Sequence, residues 1–301
     1  MFEILTKKIL IDKFIDKSKI EVIRPSREDL DIAIKWTVEE NWNPGINDAD
    51  IYYQTDNSGF FMGVYKGESI GFVFSISYDN NFAVAGVFIV KKEYRNKRFG
   101  AELGLKFLPH LKDKNVSINA VQHKVKLYSA IGFKPVFNII RYFFQKQSCS
   151  IMFPISVEFY VGKFDEQFSD FEMLVDYDKK CFPADRSKLL KLWIFQPDSF
   201  GLYVKNKKNN ICGYAVLRKA YTGYRLEPMY ADTFEIAEFL FLKILGFIEN
   251  GEPVFMDIPE NNPSAMLLSQ KYKFQQIFMM TRMYSKYEPQ YEKNKIFGLF
   301  E

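Results

Sequence analysis

Five of the eight side chains from Lys91 to Arg98 are basic (Lys91, Lys92, Arg95, Lys97 and Arg98), and the run ends in Phe99-Gly100-Ala101. An apolar stretch, Phe82 to Val90, leads into it and reads as a strand, while Phe99 to about Leu111 reads as a helix. A strand, a short basic turn with a glycine and a helix start make a natural anion site. Helix N-terminal amides are unpaired, the helix dipole favours negative charge, and cationic side chains strengthen the field. Each hydrogen bond to a charged oxygen contributes about 1.5–3 kcal/mol. The same charge density also suits a solvated turn, so the chemistry depends on the elements around it.

Those elements occur twice. Gly132-Phe133, Phe137 and Arg141-Tyr142-Phe143 are matched by Lys273-Phe274, Phe278 and Arg282-Met283-Tyr284 at a constant offset of 141 residues. Upstream, Gly71-Phe72-Val73-Phe74 matches Gly213-Tyr214-Ala215-Val216 at 142. In the first half, Glu21 to Arg24 reads as a strand and Ser26 as the cap of a helix to about Glu40. Phe60 to Tyr65 and Ser69 to Tyr78 form a hairpin about Lys66-Gly67-Glu68. After the helix at Phe99, Val116 to Val121 is a strand, Lys124 to Ala130 a short helix, and Val136 to Phe144 a closing strand. The second half predicts a strand at Ile155 to Val161, helices at Glu166 to Lys180 and Arg186 to Phe195, and strands at Phe200 to Val204, Ile211 to Leu217 and Tyr224 to Met229. A helix at Thr233 to Glu249, a strand at Val254 to Ile258, a helix at Ser264 to Tyr272 and a strand at Gln276 to Tyr284 complete it. The expectation is a mixed α/β class with two tandem copies of one fold, residues 1–147 and 150–301, with the boundary around Gln145 to Phe153.

On these residues the chain resembles the GNAT acetyltransferases. Val90-x-x-x-x-Arg95-x-x-Arg98-x-Gly100 is similar to that superfamily's acyl-CoA pyrophosphate loop, usually Arg/Gln-x-x-Gly-x-Gly/Ala. Tyr128-x-x-x-Gly132-Phe133 is similar to its Tyr-x-x-x-Gly-Phe helix end. Glu40-Asn41-Trp42-Asn43-Pro44-Gly45-x-x-Asp48 with Gly59-Phe60-Phe61, and Asp178-x-x-x-Phe182-Pro183-Ala184-Asp185-Arg186 in the second half, resemble a tandem family within it. The departures matter as much. Arg98 stands where the first loop glycine belongs; if the position needs positive φ, a non-glycine costs about 1–2 kcal/mol. The usual Asn-x-x-Ala before the tyrosine is replaced by Val121 and Lys124. In the second half Asn262-Pro263-Ser264-Ala265 keeps it, but Ser269 and Lys273 replace the tyrosine and glycine. The second loop, Glu227 to Asp232, has no basic residue and two carboxylates, which oppose a pyrophosphate. The expected acyl-CoA site is therefore in the first half alone.

The resemblance implies transfer of an acetyl or other acyl group from acetyl-CoA, as cosubstrate, to an amine of a small molecule or a protein. Strand residues Phe88, Ile89 and Val90, splayed from a neighbouring strand, would supply backbone partners to the pantetheine arm. Arg95, Asn96, Lys97, Arg98, Phe99, Gly100 and Ala101 would hold the pyrophosphate. Tyr128 is the candidate proton donor for the leaving thiolate, since a thiol near pKa 8.5 is protonated by a group that keeps its proton at neutral pH. Glu40 and His123 are the candidates for deprotonating the amine, whose pKa of about 10.4 lies over three units from neutrality; a solvated helix-end charge and a surface residue are their plainer readings. Trp42 and Asn43 lie where this fold places its acceptor loop. A non-catalytic acyl-CoA-binding or interaction module, and aminoacyl transfer from tRNA, are the competing readings.

Composition narrows the field further. Of 301 residues, 48% are hydrophobic and 26% charged, as in ordinary globular chains, and 31 Phe with 18 Tyr give ample core material. The net charge of +4 is too mild for a dedicated nucleic-acid binder. Two histidines and three unpaired-looking cysteines (Cys149, Cys181, Cys212) argue against a metal site or a disulfide framework, and for a reducing, cytoplasmic setting. Met1 to Phe14 is too charged for a signal peptide, and the longest apolar stretch, Ile236 to Ile248, is too short to span a bilayer, so no membrane partner is expected.

Overall fold

The computed structural model describes residues 20–146 and 159–300, which form two compact units. The first contains residues 20–44, 48–136 and 282–288; the second contains 45–47, 137–146, 159–281 and 289–300.

In the first unit the order is β1 (Glu21–Ile23), α1 (Arg27–Glu39), α2 (Asp48–Thr55), β2 (Phe60–Tyr65), β3 (Glu68–Ser77), β4 (Phe82–Val90), α3 (Phe99–Phe107), β5 (Asn115–Val121) and α4 (Val125–Ala130). Ser26 caps α1 through a reciprocal box: its hydroxyl accepts from the Asp29 amide and the Asp29 carboxylate accepts from the Ser26 amide. The β2–β3 turn places Lys66 and Gly67 at φ +51° and +79°, the geometry that suits a tight hairpin. The strands pair in the order β1-β2-β3-β4-β5, with β4 and β5 parallel and the others antiparallel. Alternation along β2 sends Phe60 and Met62 to the α1 side, with Leu30 and Trp36, and Phe61 to the α3 side, with Leu103 and Phe107.

The second unit repeats this plan: β7 (Tyr160–Lys163), α5 (Phe171–Cys181), α6 (Ser187–Ile194), β8 (Ser199–Lys205), β9 (Ile211–Lys219), β10 (Tyr224–Ala231), α7 (Phe234–Leu245), β11 (Pro253–Pro259) and α8 (Pro263–Lys271). Its strand order is β7-β8-β9-β10-β11. A short strand, β13 (Ile296–Gly298), pairs antiparallel with β10. The core gathers around α7, with Leu240, Phe241 and Ile244 fully buried.

The closing strands of the two halves are exchanged. β6 (Lys134–Gln145), from the first half of the sequence, pairs antiparallel with β11 from Ile139 to Gln145, and residues 137–145 belong to the second unit. β12 (Gln275–Tyr284) ends in the first unit, where the Ser285 amide donates to the Val116 carbonyl at 2.9 Å and the Ser285 hydroxyl accepts from the Val116 amide at 2.8 Å. Buried backbone groups on β5 and β11 need partners, and each unit takes them from the other half of the sequence. The boundary expected at 145–153 lies mostly outside the described residues.

Other expectations differ at their edges. The strand expected from Ile155 is described only from Tyr160; residues 155–158 lie outside the described set. The helix expected from Glu166 begins at Phe171, because Asp165 forms a local turn, its carboxylate accepting from the Gln167 amide. The helix expected to run to Glu249 stops at Leu245 before Gly246. The two-turn helix α2 and strand β13 have no counterpart in the sequence reading.

Candidate active site

Strands β4 and β5 lie side by side only at Phe82–Asn115, Ala83–Val116 and Val84–Ser117. Both run on for several residues beyond these pairs, so their facing edges diverge into a wedge. The cause lies in β4, where the register against β3 slips by one residue: Gly86 faces Phe74 but Ile89 faces Phe72. Val87, inside this bulge, has φ +47°, a region that a β-branched residue occupies only under constraint. The bulge turns the end of β4 away from β5 and leaves backbone groups of Phe88, Ile89 and Val90 on an edge that no strand of the described residues covers. Phe88 is 38% exposed, and its ring lies over Gly104 of α3, where a Cβ would come within 3.6 Å.

The basic turn follows. Arg98 sits at φ +65° in the cap position of α3, so the glycine position of the motif does require a left-handed backbone and a non-glycine occupies it. Asn96 is also left-handed, at φ +61°. The amides of Ala101 and Glu102 donate to the Arg98 carbonyl at 2.8 and 3.1 Å, which commits the Ala101 amide within the helix. The outward amides of the first turn are those of Phe99 and Gly100. Gly100 also packs closely on Val90, its Cβ position 3.5 Å from that side chain. Replacing Arg98 with glycine should remove the left-handed penalty against a smaller entropic cost, a net gain of up to about 1 kcal/mol. A rise in the urea midpoint at unchanged slope checks it.

Arg95 departs from the expected role. Its Nε donates to the Val90 carbonyl at 2.8 Å and its Nη2 to Glu40 Oε1 at 2.7 Å, tying the end of β4 to the end of α1. Glu40 also faces Lys92 at 3.8 Å. Lys91 pairs with Glu68 and with Glu93, and the Tyr94 hydroxyl donates to Glu68 at 2.6 Å, so Lys97 and Arg98 are the cations placed nearest the helix start. Trp42 packs on the α1-side core, and Asn43 is buried at φ +48°. The next residues, Gly45 to Asn47, belong to the second unit; the Ile46 amide donates to the Lys219 carbonyl at 3.2 Å.

Tyr128 lies on α4, half-buried, edge-on to Phe133 with ring centroids 6.0 Å apart. It packs on the same core as Ala85 of β4 and Ala120 of β5, the two strands that bound the wedge. Burial pushes its hydroxyl up to about 12, so the phenol holds its proton. His123 is exposed on the one-turn helix before α4. The end of β4 and the α3 start thus border one wedge, with Glu40 joined to it through Arg95, while Tyr128 shares the α3-side core with residues of β4 and β5.

In the second unit the two carboxylates of the corresponding loop are neutralised from within. Glu227 accepts from Arg225 at 2.6 and 2.7 Å and from Arg218, all three being buried. Burial alone would raise its carboxyl, but Arg225 and Arg218 hold it below its ordinary value. Arg225 also reaches Asp257 at 2.8 Å, and Asp257 accepts two bonds at 2.6 Å from Arg141. Asp232 accepts from Lys295 at 3.0 Å and from the Tyr177 hydroxyl at 3.0 Å. Among the described residues no group of three or more His, Cys, Asp and Glu side chains could hold a metal ion.

A family model for the acetyltransferase (GNAT) family matches residues 28–133, and one for an acetyltransferase (GNAT) domain matches residues 174–298. The chain carries two GNAT domains in tandem. A curated relative, a holothin acyltransferase from Pseudoalteromonas, is 26% identical to this tandem GNAT chain over 271 residues, 90% of each protein. A solved Pyrococcus horikoshii protein described as an acetyltransferase superimposes with TM-score 0.76 at 18% identity, covering 96% of this chain and 97% of that one. A tandem GNAT protein from the clavulanic acid biosynthesis pathway gives TM-score 0.62 at 10% identity, covering 88% and 98%. Membership makes the protein an acyltransferase of the GNAT type, with the mixed α/β tandem fold expected from its sequence. No helix among the described residues is long and apolar enough to cross a membrane.

Proposed function

We propose that the first domain transfers an acyl group from acetyl-CoA to the amine of a small molecule, and that the second domain binds no CoA ester. The observation that carries the reading is the β4–β5 wedge opening onto the Arg98 turn. One end offers the backbone edge of Phe88 and Ile89, which no strand of the described residues covers, to an amide-bearing arm, and the other offers the Phe99 and Gly100 amides and the charges of Lys97 and Arg98 to phosphates. CoA presents the transferable acyl group as a thioester. The Tyr128 hydroxyl donates to the departing sulfur. A phenol near 12 gives its proton to a thiolate near 8.5 only uphill, by about 5 kcal/mol, so it acts as a hydrogen-bond donor to developing charge, with the proton completed from solvent. His123, exposed beside α4, is favoured over Glu40 as the amine's base, because Glu40 is engaged by Arg95 and Lys92.

Holothin is the first acceptor to try, on the strength of the curated relative's name. Incubation of the protein with acetyl-CoA and a panel of small amines, holothin included, should release free thiol and add one acetyl mass to an acceptor. Calorimetry should give one CoA-ester site per chain. Two equal sites, or thiol release with no acylated amine across the panel, would reject the assignment.

A further inference from the structure

The second domain has the same diverging strands as the first, but its wedge is filled. β10 and β11 pair in parallel only at Tyr224–Val254 and Arg225–Phe255, and β10 slips register against β9 between Leu226 and Met229, as β4 does against β3. By that register Met229, Tyr230 and Ala231 correspond to Phe88, Ile89 and Val90. In the first domain no strand of the described residues covers this edge. In the second, β13 does: Gly298 faces Met229 and Ile296 faces Tyr230, and the Leu299 amide donates to the Asp257 carbonyl of β11 at 2.8 Å. One short segment thus satisfies both lips of the wedge.

Three further contacts hold it there. Asn262, 1% exposed at the cap of α8, donates its side-chain amide to the carbonyls of Asn294 and Ile296 at 3.0 and 2.8 Å, while its oxygen caps the helix. The first domain has Val121 at the corresponding motif position and no such donor. Lys295 pairs with Asp232, which immediately precedes the cap of α7, and with Glu292 at 2.8 Å. Arg186 Nη1 donates to the Phe300 carbonyl at 2.8 Å, and the Phe300 ring lies 4.1 Å from that of Trp193. Gly298 fits because a Cβ there would come within 3.0 Å of the Leu226 carbonyl oxygen.

We infer that the second domain keeps a shaped ligand cleft between β10 and β11 whose occupant is the chain's own segment Lys295 to Phe300, seated so that an acyl-CoA does not enter. The inference accounts for a single CoA-ester site and to that extent rests on the proposed function, but the seating itself can be read without any ligand. The charge at the cleft mouth is reversed to suit: a carboxylate, Asp232, faces the cationic Lys295, where the first domain presents Lys97 and Arg98.

Hydrogen–deuterium exchange of the full-length chain tests it. Without ligand, the amides of Ile296 to Leu299 should exchange at least a hundredfold more slowly than those of the exposed turn at 206–210. Saturating acetyl-CoA should slow exchange at residues 95–101 and change that of residues 296–299 by less than twofold. Lys295→Glu, which sets a third carboxylate beside Asp232 and Glu292, should speed exchange of the segment at least tenfold and leave residues 82–101 unchanged. A segment exchanging as fast as the exposed turn, or one released when acetyl-CoA is added, overturns the inference. If Lys295→Glu does not fold, the two wild-type measurements still decide. If acetyl-CoA affects neither region, the proposed function fails while the ligand-free exchange continues to report the seating.

Discussion

Tyr128→Phe should lower kcat by roughly ten- to a thousandfold while leaving the CoA-ester Kd nearly unchanged. Phenylalanine keeps the ring and its edge-on contact with Phe133, so α4 and the core that joins it to β4 and β5 stay intact. Only the hydroxyl is lost, and with it the donor proposed to face negative charge that develops on the leaving sulfur. That charge exists in the transition state and not in the bound thioester, so the loss falls on kcat rather than on affinity. Burial places the phenol near 12, so the wild-type kcat should show no alkaline decline from this group below about pH 11. A kcat within twofold of wild type would make Tyr128 a packing residue and return the thiolate to solvent.

The residues around this site were legible because their backbone demands are local. Ser26 with Asp29, the Lys66-Gly67 turn and the glycine-like position of Arg98 each depend on a few neighbouring residues, and the structure bears them out at α1, at the hairpin and at φ +65°. The exchange of closing strands was not legible, and the duplication explains why. β6 and β12 share one pattern at a constant spacing, so either could satisfy β5 or β11 by hydrophobicity alone. What distinguishes them is across the strands: Arg141 finds the Asp257 carboxylate on β11, whereas Arg282 donates to the Asn119 amide oxygen on β5 at 2.8 Å. Val87 carries no sign of its left-handed backbone, because the bulge arises from the register between β3 and β4 and not from the residue type at the bulge. β13 is three residues long after a polar run, too short for any periodicity to register.

Within Asp178-x-x-x-Phe182-Pro183-Ala184-Asp185-Arg186, the outer pair Asp178 and Arg186 forms a buried carboxylate–guanidinium corner. Arg186 donates to both oxygens of Asp178 at 2.8 Å, to the Tyr230 hydroxyl at 2.9 Å and to the Phe300 carbonyl at 2.8 Å. The Tyr214 hydroxyl also donates to Asp178, and the guanidinium lies 4.1 Å above the Phe182 ring. Asp185 stands one residue before the cap position of α6, where its carboxylate accepts from the Ser187 amide at 2.8 Å.

Arg186→Ala should therefore strip a buried carboxylate of its charge partner, with a loss of about 3–5 kcal/mol. For a unit of this size each kcal/mol moves Tm by about 2–4 °C, so a fall of roughly 6–20 °C is expected in the transition that reports the second domain. The loss comes mainly from the stranded charge, because Asp178 has no water to turn to. Arg186→Met combined with Asp178→Asn, which removes both charges and keeps most of the volume, should recover a large part of it. The acceptor KM of the folded Arg186→Ala protein should match wild type, since the partners described for Arg186 (Asp178, Tyr230, Phe300 and Phe182) all belong to the second unit. Normal melting with a strongly raised acceptor KM would show instead that this guanidinium meets the acceptor, and the acceptor site would then have to include the second domain.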